Sequence, residues 1–578
     1  MNRRKFLDQL GLAAPSFRYA PTLLEALALP GSGLAAAAGG AEAKADVVIV
    51  GGGMGGLAAA LAAARNGLTV IVTEETDWIG GQVTQQAVPL DEHAHIEAYG
   101  CTRTYRDYRN RIRAYYRRNY PLTEAAAHCW DFNPGNPTNT SFPAEPTVAL
   151  AVFYEMLAPF IGGARLTILL NAKPVSAAIS GDRVLSVTVH QADSARDVTI
   201  TAPYFLDATE LGDLLPLTRT EYVTGSDARA VTDEAHAGEK AEPANEQCVT
   251  FCFDMDYLEG EDHTIEKPSD YDEWKGFLPQ MRPPYTGKLL SFESTVPSAL
   301  SQVRHGYLDP LGKYPKPPDR RDGVNLDLWL YRRCIDKTNF VEGTYASDIV
   351  VVDWPQNDYA YGRFVDVSPE EYARQIHRSK QLSLSFLYWM QTAAPRLDGG
   401  IGFPGLRLRK DLVGTTDGLA KFPYIRESRR IQAEFTVLEQ HVGAEMRKHL
   451  AFPRNTKGEK FFDSVGVGYY HIDLHPSTGG DNYIDIGSLP FEIPLGALIP
   501  RRLENLLPVS KNIGTTHVTN GCYRLHPVEW GIGEAGGMLI AFCRARKVLP
   551  RQVRNDRALL AEFQTFLQKQ GVELSWPS

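Results

Sequence analysis

The chain has 578 residues, of which 43% are hydrophobic and 22% charged, with a formal net charge of −9 at neutral pH. That length and balance describe an ordinary globular chain of several domains with room for a large core, and exclude an intrinsically disordered one. The acidic total argues against nucleic acid or an anionic membrane surface as a partner, and no run of apolar residues is long enough to predict a transmembrane segment.

The seven cysteines are scattered, with no CxxC and no Cys/His cluster, so no metal site is predicted. Cys248 and Cys252 could bridge in an oxidising compartment; buried free thiols are the simpler reading. In chain order, residues 1–43 read as a leader rather than as fold. Arg3-Arg4 followed by Phe6-Leu7 resembles a twin-arginine export signal, with Ala26-Leu27-Ala28 or Ala41-Glu42-Ala43 as small-residue cleavage sites, although Arg18 and Glu25 interrupt the apolar part. The resemblance implies the twin-arginine export machinery as a partner and a periplasmic or secreted location. A chain folded around a nucleotide cofactor must be exported folded, which fits that route.

Residues 46–84 organise everything after them. Val47–Val50 is an apolar run suited to a strand buried on both faces, and Gly51-Gly52-Gly53-Met54-Gly55-Gly56 follows at once. An alanine-rich helical segment ends near Gly67, and a second apolar run, 68–72, stops at Glu74 and Glu75. This is the strand, glycine turn, helix, strand, acid order of a dinucleotide fold. Gly51 permits the tight turn, Gly53 lets backbone amides approach a pyrophosphate, and Gly56 allows close helix–strand packing. Glu74 is placed to accept hydrogen bonds from a ribose.

Trp78-Ile79-Gly80-Gly81-Gln82-Val83-Thr84 then brings a second glycine pair, where backbone must again come close to a ligand. An FAD lying extended across the domain needs that, and an NAD domain usually does not. Here the sequence resembles the FAD-dependent oxidoreductases of the glutathione-reductase-like superfamily. More narrowly, it resembles the FAD-dependent oxidoreductase family whose members are often labelled xanthan-lyase-like. That label names a polysaccharide lyase, but nothing in the sequence supplies lyase chemistry. The resemblance implies that backbone near Pro174-Val175 reads the adenine. It also implies that Asp207-Ala208-Thr209, with Gly212-Asp213 after it, lets the cofactor pass a strand end.

Residues 103–118 hold seven arginines among tyrosines, with Tyr105, Tyr108, Ile112, Tyr115 and Tyr116 at helical spacing. Interleaved basic and aromatic residues can bind single-stranded nucleic acid; with an acidic total, a packed helix with a salt-bridged face is the better reading. A helix is predicted over 148–160, a strand over 166–170, and a hairpin turning at Ser180-Gly181-Asp182 between strands 175–179 and 184–190. From 221 to about 490 the chain gathers prolines and aromatics and shows no second glycine fingerprint, so no separate NAD(P)H domain is predicted. We read this part as a substrate-binding domain capping the flavin. Within it Arg426, Arg429 and Arg430 can clamp a carboxylate or phosphate, or form an ion-pair network with Glu427 and Asp417. Alternation at Ile431, Ala433, Phe435 and Val437 predicts a strand. His471 and His475 are candidates for substrate hydrogen bonds or acid–base work.

A strand is predicted over 506–509, and Gly531, Gly533, Ala535, Gly536 and Gly537 are predicted to open an apolar helix. Small residues at such a helix start suit a phosphate or the flavin's pyrimidine edge, and the family closes its FAD domain on the same theme. Just before it, His526 is the first candidate base for the substrate's O–H or N–H proton, and Glu529 is its orienting partner or substitute. His517 is the reserve base, and Arg524 is placed to fix substrate or a developing oxyanion.

The sequence thus predicts an α/β protein with a doubly wound, Rossmann-like FAD domain and a mixed α+β substrate-binding cap. The predicted division is a leader (1–43), an FAD domain in two parts (44–220 and 491–550), the cap (221–490) and a helical tail (551–578). The predicted activity is two-electron oxidation of a small alcohol, sugar or amine, with electrons passed to oxygen or a redox partner. The alternatives are an exported reductase of an activated double bond, using Arg426 and Arg429 on a carboxylate, and a flavin-bearing subunit without turnover of its own.

Overall fold

The computed structural model describes residues 41–318 and 320–577, and the twin-arginine segment lies outside the described residues. Ala41–Lys44, read from the sequence as the leader's end, is strand β1, so the boundary after residue 43 and the Ala41-Glu42-Ala43 cleavage candidate fall within a paired strand. β2 (Val47–Val50) leads into α1 (Met54–Arg65), followed by β3 (Val70–Thr73). Next come α2 (Arg103–Asn119), α3 (Pro146–Gly162), β4 (Leu166–Leu169), β5 (Ala172–Ser180), β6 (Arg183–Gln191), β7 (Arg196–Thr201) and β8 (Tyr204–Asp207). Far along the chain, β9 (Leu506–Pro508) precedes α4 (His517–Tyr523) and α5 (His526–Arg546).

Five strands pair in parallel in the order β9-β8-β2-β3-β4. β2, β3 and β8 are buried along their whole length, and a parallel sheet covered on both faces demands such unbroken apolar runs. The predicted hairpin is β5–β6, turning through Gly181 at φ +56°, and with β7 and β1 it forms a second sheet in the order β1-β7-β6-β5. β9 joins the first sheet from some 300 residues away, which brings α4 and α5 to the C-terminal edge of β2 and β8.

α1 is buried through Ala64 because it lies between the sheet and α5. An added Cβ at Gly533 would collide with the Gly55 carbonyl, one at Gly537 with that of Ala59, and one at Gly536 with Val509. These glycines therefore let two helix backbones touch. α5 begins at His526, with Pro527 in its first turn. The sequence expectation is corrected here: Gly533, Ala535 and Gly536 lie inside the helix as packing contacts, and none is at an N-terminus facing a cofactor. Gly533→Val is expected to cost at least about 3 kcal/mol, at the upper end of overpacking costs, because the obstacle is backbone. Gly531→Ala in the same helix, whose Cβ would meet only Ile493 at 3.6 Å, is expected to be neutral or slightly stabilising. Thermal unfolding of the two variants measures the difference.

α2 is capped by Thr102, whose hydroxyl accepts the Tyr105 N–H at 3.2 Å, and it buries Tyr105, Tyr108, Ile112 and Tyr116. Three of its arginines are spent inside the fold: Arg109 pairs with Glu92 at 2.9 Å and with Glu97 at 2.8 Å, Arg113 pairs with Glu97, and Arg106 pairs with Glu573. Arg103 and Arg117 are exposed and bond only backbone carbonyls; the inward-facing arginines serve the salt-bridged face that the sequence reading preferred.

A second core, with Trp274, Trp329, Trp354, Phe386 and Met390 at its centre, draws its side chains from Leu211 to Ile425. Ile431, Val437, Val465 and Ile472 pack instead with the cores on either face of the parallel sheet. The part of the chain after about residue 430, expected in the cap, is thus built onto the sheet side. The strand expected from Ile431 to Val437 is also corrected. Only Arg430–Ile431 pairs as a strand, and Ala433 and Val437 make single bridges to Pro500 and Thr515. Among the described residues, no helix is long and apolar enough to cross a membrane.

Candidate active site

The C-terminal ends of β2, β3 and β8 open onto a crevice lined by Gly51, Thr73, Glu74, Glu75, Ala208 and Thr209, among others. Gly51 turns there at φ +103°, in the left-handed region, and an added Cβ would strike the Ala208 carbonyl. α1 starts at Gly53 with no side-chain cap, which leaves its first N–H groups to other acceptors. The second glycine pair lies against the first. Gly80 (φ +115°) and Gly81 (φ +59°) are both left-handed, the Gly80 N–H donates to the Gly52 carbonyl at 2.8 Å, and a Cβ on Gly81 would come within 2.8 Å of the Gly53 Cα. Met54 is a core side chain and offers only its backbone.

Glu74 stands at the end of β3. Its carboxyl accepts the N–H groups of Gly52 and Thr76, each at 2.9 Å, and burial raises its pKa to about 8. Glu75 pairs with Lys173 at 3.0 Å. At the start of β5, Ala172 and Pro174 line the crevice, whereas Val175 is 46% exposed. Of the Pro174-Val175 pair expected near the adenine, Pro174 is the one in the crevice lining. Thr209 is fixed by its hydroxyl, which donates to Asp207 at 2.7 Å and accepts the Asp213 N–H at 2.6 Å.

Several buried polar atoms along this edge have no partner within the protein: Thr73 Oγ1, Gln82 Oε1, both amide atoms of Gln86, and His526 Nε2. Unpaired buried polar groups are costly, so a row of them beside a glycine-lined helix N-terminus marks a place for a long polar ligand. These residues fit a dinucleotide. Gly51 to Gly56 with Gly80 and Gly81 would hold its pyrophosphate, Glu74 its ribose, and Gln82, Gln86 and His526 its far end.

Two of the predicted catalytic groups have other work. Glu529 is wholly buried and accepts the Gly55 N–H and the Ser510 hydroxyl, each at 3.1 Å, together with the Gln82 amide. It fastens α5 to the start of α1 and makes no bond to His526, so its role as orienter or base is corrected to a structural one. His526 accepts the Asp91 N–H on Nδ1 at 3.0 Å, which leaves the ring hydrogen on Nε2. Burial, reinforced by Arg332 and Arg524, lowers its pKa to about 3. A neutral ring whose lone pair is already engaged donates a hydrogen bond and does not accept a substrate proton. His526 is therefore a donor, and not the first-choice base.

A buried charge network continues from Asp91. Arg332 pairs with Asp91 at 3.2 Å and with Asp353 at 3.6 Å; Arg426 pairs with Asp353 at 3.2 Å and with Asp358 at 3.1 Å. His475 bridges Asp358 at 2.6 Å and Asp473 at 3.4 Å, and Arg524 pairs with Asp473 at 2.9 Å and bonds the Tyr424 hydroxyl. Burial opposes the His475 imidazolium, and so does Arg426, but the two aspartates outweigh both and hold its pKa well above the ordinary range. Cys248, Asp358 and His475 lie mutually close, yet the Arg426 guanidinium stands 3.5 Å from Cys248 Sγ and opposes a cation there. Cys248 and Cys252 are both free and buried.

Arg426 is thus spent on aspartates, and Arg429 on Asp213 at 3.2 Å and Asp366 at 2.9 Å, so neither is free to clamp an anionic substrate. Of the ion-pair alternative read from the sequence, Glu427 does pair with Arg430, whereas Asp417 pairs with Lys380. His471 pairs with Asp485.

Beside α4 lies a cavity of about 390 Å³, within the range of small-molecule sites. His517, Asp227, Glu234, Arg282, Tyr483 and Asp485 are among its lining residues. His517 Nδ1 lies 2.8 and 2.9 Å from the two Glu427 oxygens, and its backbone N–H donates to Asp227 at 2.8 Å. Burial works against the His517 imidazolium, but the Glu427 carboxylate outweighs it and raises the pKa. With Nδ1–H given to Glu427, Nε2 is the proton-accepting atom. Gln247 joins the cavity to the charge network: its N–H reaches Glu427 at 3.4 Å, and its side-chain oxygen accepts the His475 N–H at 3.4 Å. Of the four predicted catalytic residues, His517 alone lines this cavity. Nothing in the sequence marks Asp91, Asp353, Asp358 or Tyr424, each an isolated residue; Asp473 lies between the candidates His471 and His475, and Glu427 is among the ion-pair partners read from the sequence.

A parallel α/β sheet with a glycine-lined crevice at its C-terminal edge, facing buried ionisable groups, defines a dinucleotide-dependent redox protein. More particularly, the chain belongs to the FAD dependent oxidoreductase family, which it matches over residues 46–567. It is an FAD-dependent oxidoreductase, and its cofactor is FAD. No curated protein matches it. Among solved structures it is similar to a geranylgeranyl bacteriochlorophyll reductase-like protein from Thermoplasma acidophilum (10% identity, 92% of this chain and 85% of that one, TM-score 0.30). It is also similar to the L-proline dehydrogenase from P. horikoshii (16%, 32% and 24%, 0.17) and a 3-ketosteroid-delta4-(5alpha)-dehydrogenase from Rhodococcus jostii RHA1 (14%, 30% and 48%, 0.19). The chain spans less than half the length of either dehydrogenase, and likenesses this distant say nothing of its substrate.

Proposed function

We propose that the protein oxidises a C–H bond next to a hydroxyl or amine of a small organic substrate held in the cavity at His517. The observation that carries this reading is the Glu427–His517 pair on the cavity wall. Glu427 holds the Nδ1 hydrogen and fixes the ring, and Nε2 takes the substrate's O–H or N–H proton as the C–H bond is broken. Asp227 anchors the start of α4; burial works against the Glu427 carboxylate, but His517 and Arg430 outweigh it and keep it ionised. Bound FAD supplies a two-electron acceptor. Oxygen or a redox partner then takes the electrons, since the sequence shows no second glycine fingerprint for NAD(P)H.

The parallel sheet and the Trp-rich second core support a Rossmann-like FAD domain with a substrate-binding cap. The Arg3-Arg4 leader supports export of the folded protein to the periplasm or beyond. Reduction of an activated double bond is the weaker reading, because the arginines it would use on a carboxylate are saturated by aspartates. Anaerobic mixing of the oxidised holoenzyme with a panel of sugars, alcohols and amines tests the proposal. Bleaching of the visible flavin band by at least one of them is expected. Reoxidation of the reduced enzyme by an enoate, with no bleaching across the panel, would reverse the assignment.

A further inference from the structure

Two charged side chains beside the glycine turns have no part in the scheme above. Glu210 follows β8 and Lys511 follows β9, its neighbour in the parallel sheet, so both stand at the C-terminal edge where the crevice opens. The Lys511 side chain is wholly buried, and its ammonium pairs with Glu210 Oε2. Lysine is almost never buried so completely without a partner. Glu210 lines the crevice, and its side chain is 12% exposed.

The other oxygen of Glu210 lies where the two glycine turns meet. A Cβ on Gly53 would come within 3.0 Å of Oε1, and one on Gly81 would lie 3.1 Å from both Oε1 and the Met54 nitrogen. The carboxylate thus stands beside the first amides of α1, where a helix holds an anion best. Glu529 brings a second acid to the same helix start, on the Gly55 N–H. Burial raises the Glu529 pKa, Lys511 opposes that rise and Glu210 adds to it, so the three groups sense one another. One ammonium and a helix dipole face two acids here. While Glu210 holds the lysine, little positive charge is left for a pyrophosphate, which is a dianion.

We propose that Lys511 is the counter-ion of the cofactor's pyrophosphate, and that Glu210 keeps that place until FAD binds. The ammonium then exchanges a carboxylate for a phosphate oxygen, and Glu210 turns into the crevice it already lines. Both partners in the exchange are anions, so the buried lysine is never left unpaired. The exchange makes Glu210 a competitor of the cofactor: Glu210 lowers FAD affinity, and Lys511 raises it. This opposition of sign distinguishes the pair from a purely structural salt bridge, in which removing either member does harm in the same direction.

Fluorescence titration of the full-chain apoprotein with FAD, in the wild type, Lys511→Met and Glu210→Gln, tests the proposal. Lys511→Met should weaken FAD by about 10- to 100-fold, the loss of a charge-assisted bond to a phosphate. Glu210→Gln should bind FAD about threefold or more tighter than the wild type, because a like charge has left the pyrophosphate's place. The flavin midpoint potential, measured at saturating FAD, should be the same in Lys511→Met as in the wild type, since the phosphates lie away from the ring that is reduced. Glu210→Gln binding no tighter than the wild type would overturn the assignment, and so would an unmoved FAD affinity in Lys511→Met. A midpoint potential that falls in Lys511→Met would also overturn it, by giving the ammonium to the flavin ring instead. Should Lys511→Met fail to fold, the sign of the Glu210→Gln effect decides alone.

Discussion

Gly53→Val is expected to give a folded but colourless protein. Gly53 has φ −67°, which any residue adopts, and an added Cβ would meet the end of the Glu210 side chain at 3.0 Å, with the Ala208 carbonyl and the Glu529 carboxyl each at 3.7 Å. The fold can therefore absorb the change. The cofactor cannot, because the branched side chain stands where a pyrophosphate approaches the first N–H groups of α1. We expect bound flavin to fall below about a tenth of the wild-type content, with the far-UV circular dichroism unchanged. Gly51, Gly55 and Gly56 make poorer tests. Their Cβ atoms would collide with backbone carbonyls of Ala208, Val509 and Gly51, and their variants are expected to unfold. A Gly53→Val protein as yellow as the wild type would mean that the cofactor does not lie on this turn.

The second large effect is expected at His517. His517→Ala should retain its flavin, because no part of the glycine crevice touches that side chain, yet lose about 100- to 10,000-fold in the rate of flavin reduction by substrate. His526→Ala should behave differently: removing a buried ring whose Nδ1 accepts the Asp91 N–H, and so ties α5 to it, is expected to lower flavin affinity and melting temperature together. Equal losses of reduction rate in the two variants, with flavin content unchanged in both, would return His526 to the part of base.

The glycine crevice was legible in the sequence because a dinucleotide turn is local. Strand, glycines, helix and acid lie within about thirty residues, and each glycine has a steric reason that can be read without the fold. The β5–β6 hairpin and the α2 and α3 helices were legible for the same reason, since their periodicity and turn residues are short-range. The base was not. His517, Glu427 and Glu234 are brought together from three distant parts of the chain, and proximity to the flavin-binding helix favoured His526. What separates the two histidines is a hydrogen bond: the Asp91 amide occupies the lone pair of one, and the Glu427 carboxylate leaves free the lone pair of the other. The closing glycines misled in a similar way. Gly533 and Gly536 are small so that α5 can lie on α1 and β9, a packing need that looks like a phosphate-binding need in sequence. Arg426 and Arg429 looked like a clamp because their aspartates are 60 to 220 residues away.

The pH dependence of flavin reduction in single turnover, compared between the wild type and Glu427→Gln, bears most directly on the central claim. His517 accepts a proton only when neutral, and Glu427 lifts its pKa above the ordinary histidine range. In the wild type the rate should therefore rise with pH and level off above that raised pKa. Glu427→Gln removes the charge that favours the imidazolium, so its inflection should move to lower pH while its plateau falls, because the ring loses its fixed tautomer. An inflection that stays in place in Glu427→Gln, or a rate that falls as pH rises, would contradict the assignment of His517 as the base.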